Sequence, residues 1–170
     1  MHPVRTALVG FGWWGRKMAT LLLDHPDSLA LVAIVEPVLD MARDFAAAHG
    51  LRLEARLETV LADLSLEAVI LATPHALHEA QIEAAVAAGK HMFCEKPLSL
   101  TRSGAERAVR LCEEAGLVLG MGHERRFEPP MAELLRHAVD GRLGRLLQIE
   151  ANFSHDKFLG LDPSNWRLHP

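Results

Sequence analysis

A chain of 170 residues with a net charge of −4 has room for one full domain and part of a second. The charge balance leaves no basic footprint, which excludes nucleic acid as the main partner, and no apolar run is long enough to span a bilayer. Two cysteines, Cys94 and Cys112, make neither a disulfide framework nor a zinc site. The chain moves almost directly into an apolar strand without an evident secretory leader, so we expect a cytoplasmic protein.

The first predicted elements are a strand, a glycine-rich turn, a helix and a second strand that ends in an acid. The apolar run 7–9 precedes the turn, and the run 29–35 leads into Glu36, which lies 21 positions after Gly15. This layout is typical of a dinucleotide-binding unit, and the flanking strands and the acid make it more specific than the glycines alone. The turn consists of Gly10, Phe11, Gly12, Trp13, Trp14 and Gly15.

Each part of this unit has a physical role in the predicted site. Gly10 permits a tight turn, Gly12 lets the backbone approach a pyrophosphate, and Gly15 lets the helix pack close to the strand. The N–H groups at the helix N-terminus attract phosphate charge, and Glu36 accepts hydrogen bonds from the adenosine ribose hydroxyls. The two tryptophans of the turn either cover the pyrophosphate or pack the helix.

Glu36 also bears on the choice of nicotinamide cofactor. A 2′-phosphate beside this carboxylate would meet like charge, and the next positions hold Pro37 and Val38 rather than the serine or arginine that would favour the phosphate. Arg43 lies in the next predicted helix and could still reach back. The sequence therefore favours NAD over NADP, although FAD and S-adenosylmethionine sites use related glycine turns.

Helix-like and strand-like segments continue to alternate up to residue 121. We predict helices at 38–49, 58–63 and 77–88, strands at 51–56, 68–72, 91–94 and 117–121, and a helix with a buried stripe of Ala105, Ala108, Val109 and Cys112. The continuous apolar strands indicate a sheet that is covered on both faces. The predicted fold class is therefore α/β, with a Rossmann-type, doubly wound parallel sheet over residues 1–121.

The pattern changes from residue 122 onward. We predict a helix at 128–139, with Pro129 and Pro130 in its first turn. Apolar and polar residues then alternate, which favours an edge or antiparallel strand, through Leu147, Ile149, Ala151 and Phe153. Residues 122–170 are expected to begin a second α/β domain that is incomplete, because one strand cannot form a sheet. Its unpartnered apolar faces predict self-association as a homo-oligomer, or disorder of about the last 20 residues.

Ligands of such sheets bind beyond the carboxyl ends of the strands, and polar residues follow several of them. Besides the glycine turn, these segments are Thr73-Pro74-His75 with His78, Glu95-Lys96-Pro97, and 122–127 with Arg125 and Arg126. Simpler alternatives stay open: Lys96 as a solvated loop lysine, His78 as a helix-face histidine, and the arginines as surface charge. His75 and His78 have no third ligand at metal-binding spacing, so we expect no metal site.

These motifs resemble the Gfo/Idh/MocA family of nicotinamide-dependent oxidoreductases, which includes glucose–fructose oxidoreductase and inositol dehydrogenase. The resemblance runs over the whole chain, in the family's order, through the glycine turn, the segments 73–78, 95–97 and 125–129, and Trp166-Arg167. It implies that Lys96 is the catalytic lysine, turned inward by a cis Pro97, and that Glu95 contacts ribose. An ammonium beside a substrate hydroxyl favours the alkoxide-like state that gives up hydride.

The resemblance also extends the predicted cofactor site. Thr73, Pro74 and His78 match a loop beside the nicotinamide ribose, and Trp166-Arg167 matches a pair that approaches the cofactor from the second domain. The predicted cofactor-binding residues are therefore Gly10, Phe11, Gly12, Trp13, Trp14, Gly15, Glu36, Thr73, Pro74, His75, His78, Glu95, Lys96, Arg126, Trp166 and Arg167.

The resemblance implies an NAD-dependent dehydrogenase module that acts on a hydroxyl of a sugar, polyol or related small molecule. The family carries a G-G-G-x-L-x-D-x-G-x-H segment after the W-R pair, with an acid/base histidine, and the 170 residues do not contain it. We therefore expect cofactor binding, but little or no turnover, from this chain alone. The alternative is a non-catalytic protein that binds nucleotide or serves as an interaction module.

Overall fold

The computed structural model describes residues 2–156 and 158–168 and contains a six-stranded sheet. The strands are β1 (Val4–Val9), β2 (Leu29–Val35), β3 (Arg52–Glu54), β4 (Ala68–Leu71), β5 (His91–Cys94) and β6 (Leu119–Met121). Every neighbouring pair is parallel, in the order β3-β2-β1-β4-β5-β6. This is the strand order of a doubly wound Rossmann sheet, so the predicted fold class is confirmed.

Helices connect the strands. The described α-helices are α1 (Trp13–Asp24), α2 (Arg43–Ala48), α3 (Leu57–Leu61), α4 (His78–Ala87), α5 (Arg102–Glu114) and α6 (Pro129–Val139). The single helix predicted at 38–49 is wrong. A 3₁₀ turn at Leu39–Met41 comes first, because the N–H of Ala42 donates to the Leu39 carbonyl three residues back, and α2 begins only after it. Among the described residues, no helix is long and apolar enough to cross a membrane.

Both faces of the sheet are covered by helices. Successive residues of a strand point to opposite faces, so they belong to two separate apolar clusters. One cluster lies under α4 and α5 and includes Val9, Val69, Ile82 and Cys112. The other lies under α1 and α2 and includes Leu8, Ile34, Ala19 and Ala46. Val109 was predicted on the buried face of α5, but it is exposed, because the stripe that packs inward runs through Gly104, Ala108 and Cys112 at spacings of four residues.

Lys90 is a charged residue within this apolar surrounding. Its ammonium is buried and donates to the carbonyl oxygens of Asp63, at 2.8 Å, and Leu66, at 2.9 Å. Both acceptors lie between α3 and β4, whereas Lys90 directly precedes β5. The lysine therefore ties that loop to the start of the strand, and its hydrogen bonds offset the cost of burying the amine.

The chain forms two compact units, one up to Gly122 and one from His123 onward. The second unit contains α6 and two 3₁₀ turns, and none of its described residues is buried. The strand predicted at 147–153 is wrong, since residues 146–156 form neither helix nor strand. A strand satisfies its backbone only against a partner strand, and none pairs with this segment among the described residues. Its apolar side chains are exposed, as the 86% exposure of Leu147 illustrates.

Candidate active site

One edge of the sheet collects the residues that follow the strands. The terminal residues of five strands stand level with one another in register: Val9, Val35, Leu71, Cys94 and Met121. Beyond them, the N–H groups of Gly10, Glu95 and Gly122 each donate to the last carbonyl of the adjacent strand. The glycine turn (residues 10–15), the 73–78 segment and the Lys96 loop (residues 95–97) therefore lie at the same edge.

Two glycines of the turn are required by its backbone. Gly10 has a φ of +91°, and a Cβ there would lie 2.8 Å from the carbonyl oxygen of Ala72. A Cβ at Gly15 would collide with the carbonyl oxygen of Gly10 and lie 3.7 Å from the Ala72 side chain. Gly15 thus lets α1 pack against the turn itself and against the residue after β4, which is a tighter requirement than the predicted helix–strand contact.

Gly12 stands in a different environment from the other two. Apart from its chain neighbours and its own helix, no described residue has an atom within 4 Å of the position that its Cβ would occupy, and its backbone is extended. Gly12 is the N-cap residue of α1, no side chain caps the helix, and the first turn holds no acidic residue. The first N–H groups of a helix have no intrahelical acceptor, so this open, uncapped end is suited to a phosphate group. The turn therefore fits a dinucleotide.

The Glu36 carboxylate is fixed at the end of β2. One of its oxygens accepts from the N–H of Phe11 at 2.9 Å, and the other accepts from the N–H of Val38 at 3.0 Å. The side chain is only 8% exposed. A carboxylate has about four acceptor sites, so both oxygens can also accept from a hydroxyl. The sequence predicted the ribose role of Glu36 but not this attachment to the glycine turn.

Arg43 and Arg16 both have partners other than Glu36. The Arg43 guanidinium lies 2.8 Å from the Asp40 carboxylate, and both side chains are exposed. Arg16 donates to the Met41 carbonyl at 3.1 Å, and its guanidinium lies 4.8 Å from the centre of the Phe11 ring. No ion pair to Glu36 occurs in the described part of the chain, so its carboxylate keeps an unneutralised charge at the position expected for the ribose.

The two tryptophans of the turn have different surroundings. Their rings stack with centroids 5.6 Å apart, and Trp13 is 76% exposed. Trp14 is half-buried, and its indole N–H donates to the Glu95 carboxylate at 2.7 Å. Trp14 therefore connects the turn to the Lys96 loop, which neither of the two predicted roles, covering pyrophosphate or packing the helix, includes.

His78 joins the 73–78 segment to the Lys96 loop. Its ring is 1% exposed, with Nδ1 at 2.7 Å from the carbonyl oxygen of Pro97 and Nε2 at 3.1 Å from that of Thr73. Each ring nitrogen therefore faces a backbone carbonyl oxygen at hydrogen-bonding distance. The Thr73 hydroxyl donates to Gln81 at 2.6 Å, and His75 lies half-buried in a 3₁₀ turn that follows Pro74.

Glu95 is held on several sides. Besides the bond from Trp14, its second oxygen accepts weakly from the Lys96 N–H at 3.3 Å, and the side chain is 8% exposed. A Cβ on Gly122 would lie 2.6 Å from the carboxylate, so a larger residue at position 122 would displace the carboxylate from this position. The sequence placed Gly122 at this edge as part of the segment 122–127, but did not predict its contact with Glu95. The sequence shows a glycine directly after β6. Its contact with the residue after β5 follows only from the pairing of β5 with β6.

Lys96 extends from the same loop. Its side chain is exposed, and the Lys96–Pro97 peptide bond is cis, as the resemblance implied. Over residues 2–156 and 158–168, no hydrogen bond or ion pair of its ammonium is found. The loop therefore presents a charged amine at the carboxyl end of β5, next to the buried Glu95 carboxylate.

The neighbouring thiol has no comparable reactivity. Burial, followed by the charge of Glu95, raises the pKa of Cys94 to about 12. Cys94 is thus a neutral core residue at neutral pH and not a nucleophile. Within the described ranges, no three histidine, cysteine or acidic side chains come together as a metal site.

The remaining predicted residues belong to the unit from His123 onward. Arg126 is exposed in the 3₁₀ turn Glu124–Phe127. Trp166 and Arg167 lie in the 3₁₀ turn Trp166–Leu168, with the guanidinium 4.4 Å from the centre of the indole. Their predicted approach to the cofactor stays a prediction.

A family model described as an oxidoreductase family with an NAD-binding Rossmann fold matches residues 4–123. The chain belongs to this family. It is the Gfo/Idh/MocA family that the sequence motifs resemble. The matched region contains the glycine turn, Glu36, the 73–78 segment and the Lys96 loop.

Two similar proteins and one solved structure show which kinds of dehydrogenase this Gfo/Idh/MocA chain resembles. It is 31% identical to a D-xylose 1-dehydrogenase [NADP(+)] of Haloarcula marismortui over 98% of this chain and 48% of the relative. It is 36% identical to inositol 2-dehydrogenase 4 of Saccharopolyspora erythraea over 86% and 44%. The WlbA dehydrogenase of Bordetella pertussis, solved with NADH and UDP-GlcNAcA, aligns with a TM-score of 0.79 and 30% identity over 85% and 42%. The chain thus spans about half the length of these relatives.

Proposed function

We propose that this chain is the NAD-binding module of a dehydrogenase that oxidises a hydroxyl of a sugar, polyol or related small molecule. The observation that carries the proposal is the open, uncapped N-terminus of α1 at Gly12, with the fixed Glu36 carboxylate at the end of the next strand. A dinucleotide needs a phosphate site and a ribose acceptor in this relation. The dehydrogenases of xylose and inositol among the relatives support the substrate class.

In this proposal the glycine turn holds the pyrophosphate and Glu36 accepts from the adenosine ribose hydroxyls. Thr73, Pro74 and His75 line the nicotinamide side together with Glu95. NAD supplies the hydride acceptor when it is bound. The buried ring of His78 has no free nitrogen for a ligand, so we assign it the positioning of the two loops that it joins rather than direct contact.

NAD is the proposed cofactor rather than NADP. No ion pair to Glu36 is found among the described residues, and Arg43 pairs with Asp40 while Arg16 donates to a backbone carbonyl. A 2′-phosphate at the ribose would therefore meet repulsion. NADP(+) in the name of the Haloarcula relative shows that related proteins differ in this choice.

Lys96 is the proposed catalytic residue. Its exposed ammonium stands at the carboxyl end of β5, beside the residues assigned to the nicotinamide side. A positive charge near the substrate hydroxyl stabilises the alkoxide-like oxygen that develops as hydride leaves the adjacent carbon.

The proposed division of the chain into domains follows from these site assignments. We place the NAD-binding domain at residues 1–121 and the beginning of a substrate domain at 122–170, where Arg126, Trp166 and Arg167 are proposed to reach the cofactor. A cytoplasmic location is supported by two buried free thiols, Cys94 and Cys112, which suit a reducing compartment.

Self-association is the proposed fate of the exposed apolar side chains after residue 122. Leu135, Val139, Leu147 and Ile149 are all exposed in the structure. A second copy that covers them would remove this apolar surface from water. Sedimentation velocity from micromolar to millimolar concentration should show a dimer or larger species, and a monomer throughout would remove the proposal.

Calorimetry tests the cofactor assignment directly. NADH should bind the chain at one site, and NADPH should bind more weakly. The non-catalytic alternative is separated by a second assay, in which NAD reduction by a longer protein that contains these residues is followed with a panel of sugars and polyols, since little or no turnover is expected from the chain alone. Absence of NADH binding would overturn the proposed function.

Lys96→Ala tests the catalytic assignment. We expect turnover to fall at least about 100-fold with any substrate that the panel identifies, while NADH affinity changes less than about threefold. Turnover is measured with a longer protein that contains these residues. Arg102→Ala, which removes an exposed cation at the start of α5, is the matched control. An active Lys96→Ala variant would exclude the lysine from the reaction.

A further inference from the structure

A side-chain hydrogen bond joins two loops of the site that lie far apart in sequence. The indole N–H of Trp14 donates to Oε1 of Glu95 at 2.7 Å, across 81 positions of the chain. Trp14 belongs to the first turn of α1, at the end assigned to phosphate, and Glu95 is the residue before Lys96. This contact therefore connects the phosphate side of the proposed site with its nicotinamide side.

The acceptor has little freedom to move by itself. Glu95 is almost completely buried, and its backbone N–H is held by the Leu71 carbonyl at 2.9 Å. Gly122 closes one side of the carboxylate and the Lys96 N–H approaches the other oxygen at 3.3 Å. Trp14 supplies the shortest hydrogen bond to this carboxylate, so it contributes most to where the charge stands.

The donor is also held in place. The Trp14 ring stacks on Trp13, and the Lys17 ammonium lies 5.2 Å from its centre, one helical turn further along α1. The indole is therefore anchored to α1 and moves with the helix. Removal of its N–H would leave the Glu95 carboxylate buried with one acceptor site unpaired, which is costly for a charged group.

We propose that Trp14 is a positioning residue that acts through Glu95. It sets the Glu95 carboxylate and the adjoining Lys96 loop at a fixed distance from the phosphate-binding turn. A cofactor whose pyrophosphate is bound at Gly12 then meets a preorganised nicotinamide side. This inference rests on the proposed function, and it predicts that Trp14 matters for the nicotinamide half of the cofactor and not for the adenosine diphosphate half.

The test compares two ligands on the full chain. ADP carries only the adenosine and pyrophosphate half, whereas NADH adds the ribose and nicotinamide. In Trp14→Phe, which keeps an aromatic ring and loses the N–H, NADH affinity should fall about tenfold, since a hydrogen bond to a charged group has that order of effect. ADP affinity should change less than about twofold. Both are measured by calorimetry, with circular dichroism to confirm that the variant is folded.

Thr20→Val is the matched comparison. It removes a hydrogen-bond donor from the same helix at a residue outside the proposed site, since the Thr20 hydroxyl donates to the Arg16 carbonyl at 3.1 Å within α1. The ratio of NADH affinity to ADP affinity should therefore stay at the wild-type value. An equal fall of that ratio in both variants would show a general effect of changes in α1 and overturn the proposal.

A double-mutant cycle tests the route through Glu95. In a Glu95→Ala background, Trp14→Phe should have almost no further effect on NADH affinity, because the acceptor is already gone. Independent, additive losses would overturn the proposal, as would equal losses of ADP and NADH affinity in Trp14→Phe alone. The proposed function fails separately, since it predicts that the wild-type chain binds both ligands. Binding of both with an unchanged ratio in Trp14→Phe removes only the positioning role.

Discussion

The two units of this chain use similar sequence patterns with different results. Up to Gly122, apolar residues at strand and helix spacing are buried in two clusters on either face of the sheet. From His123 onward the spacing is just as regular, but none of the described residues is buried. α6 still forms, because helix hydrogen bonds are local, two prolines open it, and Arg136 pairs with Glu133 and Asp140. Residues 147–153 form no strand, because a strand depends on its neighbour.

The largest expected contrast between the two units is in stability. Ile82→Ala, in the buried cluster under α4, should lower the free energy of unfolding by about 2–5 kcal/mol. Leu147→Ala removes a similar side chain that is exposed, and should change it by less than about 0.5 kcal/mol. Urea unfolding of both variants measures the difference. A comparable loss in Leu147→Ala would mean that the second unit buries this residue in solution, as in the proposed oligomer.

The next contrast concerns two glycines with open surroundings, one in each unit. Gly12→Val should weaken NADH binding at least about 100-fold, because the new side chain fills the phosphate space, while the fold tolerates it in extended backbone. Gly160→Val, equally unobstructed, should leave binding unchanged. Calorimetry gives the affinities and thermal unfolding gives the stability. Normal NADH binding by Gly12→Val would place the cofactor elsewhere.

A smaller effect distinguishes the cofactors. NADH should bind about tenfold more tightly than NADPH at low salt, because the Glu36 carboxylate repels the 2′-phosphate. The ratio of NADH affinity to NADPH affinity should decrease in Glu36→Gln, and it should also decrease with added salt, which screens the repulsion. Equal affinities for NADH and NADPH in the wild-type chain would show that a cationic side chain neutralises Glu36 when the protein is in solution. Arg43 is the first candidate, if it leaves Asp40.

The smallest contrast is in pH dependence. The hydroxyl and then the N–H of Ser65, followed by Arg52, lower the pKa of Asp63 from 3.8 to about 2. A pKa that is lowered in the folded state contributes stability above about pH 4, and this contribution is lost as the pH falls towards 2. Asp63→Asn should therefore be less stable than wild type at neutral pH, with a difference that disappears over that range.

Asp162 provides the comparison from the second unit. Ser164 lowers the pKa of Asp162 in the same way, through its hydroxyl and N–H. No described residue around it is buried, so Asp162→Asn should leave the unfolding midpoint unchanged at every pH. Acid titration of both variants, followed by circular dichroism, measures the two effects. A pH-dependent shift in Asp162→Asn would contradict the lack of a core in the second unit.

Local patterns carried most of what the sequence predicted correctly. The turn at 10–15, the strand at 91–94 and the helix after Glu128 depend on neighbouring residues, such as glycines, apolar runs and prolines at a helix start. The parallel sheet followed from their alternation. The positions of the candidate site residues at one sheet edge followed in turn from that fold.

Contacts between distant segments were beyond the sequence patterns. The bond from Trp14 to Glu95, the space that Gly122 leaves for that carboxylate, and the two carbonyl partners of His78 depend on which strands become neighbours. The error at Val109 has the same origin, because helical spacing gives the period of a buried stripe but leaves open which face meets the sheet.

The ammonium of Lys90 is buried and bound to two carbonyl oxygens, so its reaction with a labelling reagent would report on unfolding. Lysine occurs only at positions 17, 90, 96 and 157, so an acylating reagent has few targets. Lys90 can react only after the structure opens, whereas Lys96 is accessible from the start. A bound dinucleotide should shield Lys96 and leave Lys90 unaffected. A single mass spectrum of the labelled protein would then report ligand occupancy at one lysine and unfolding at the other.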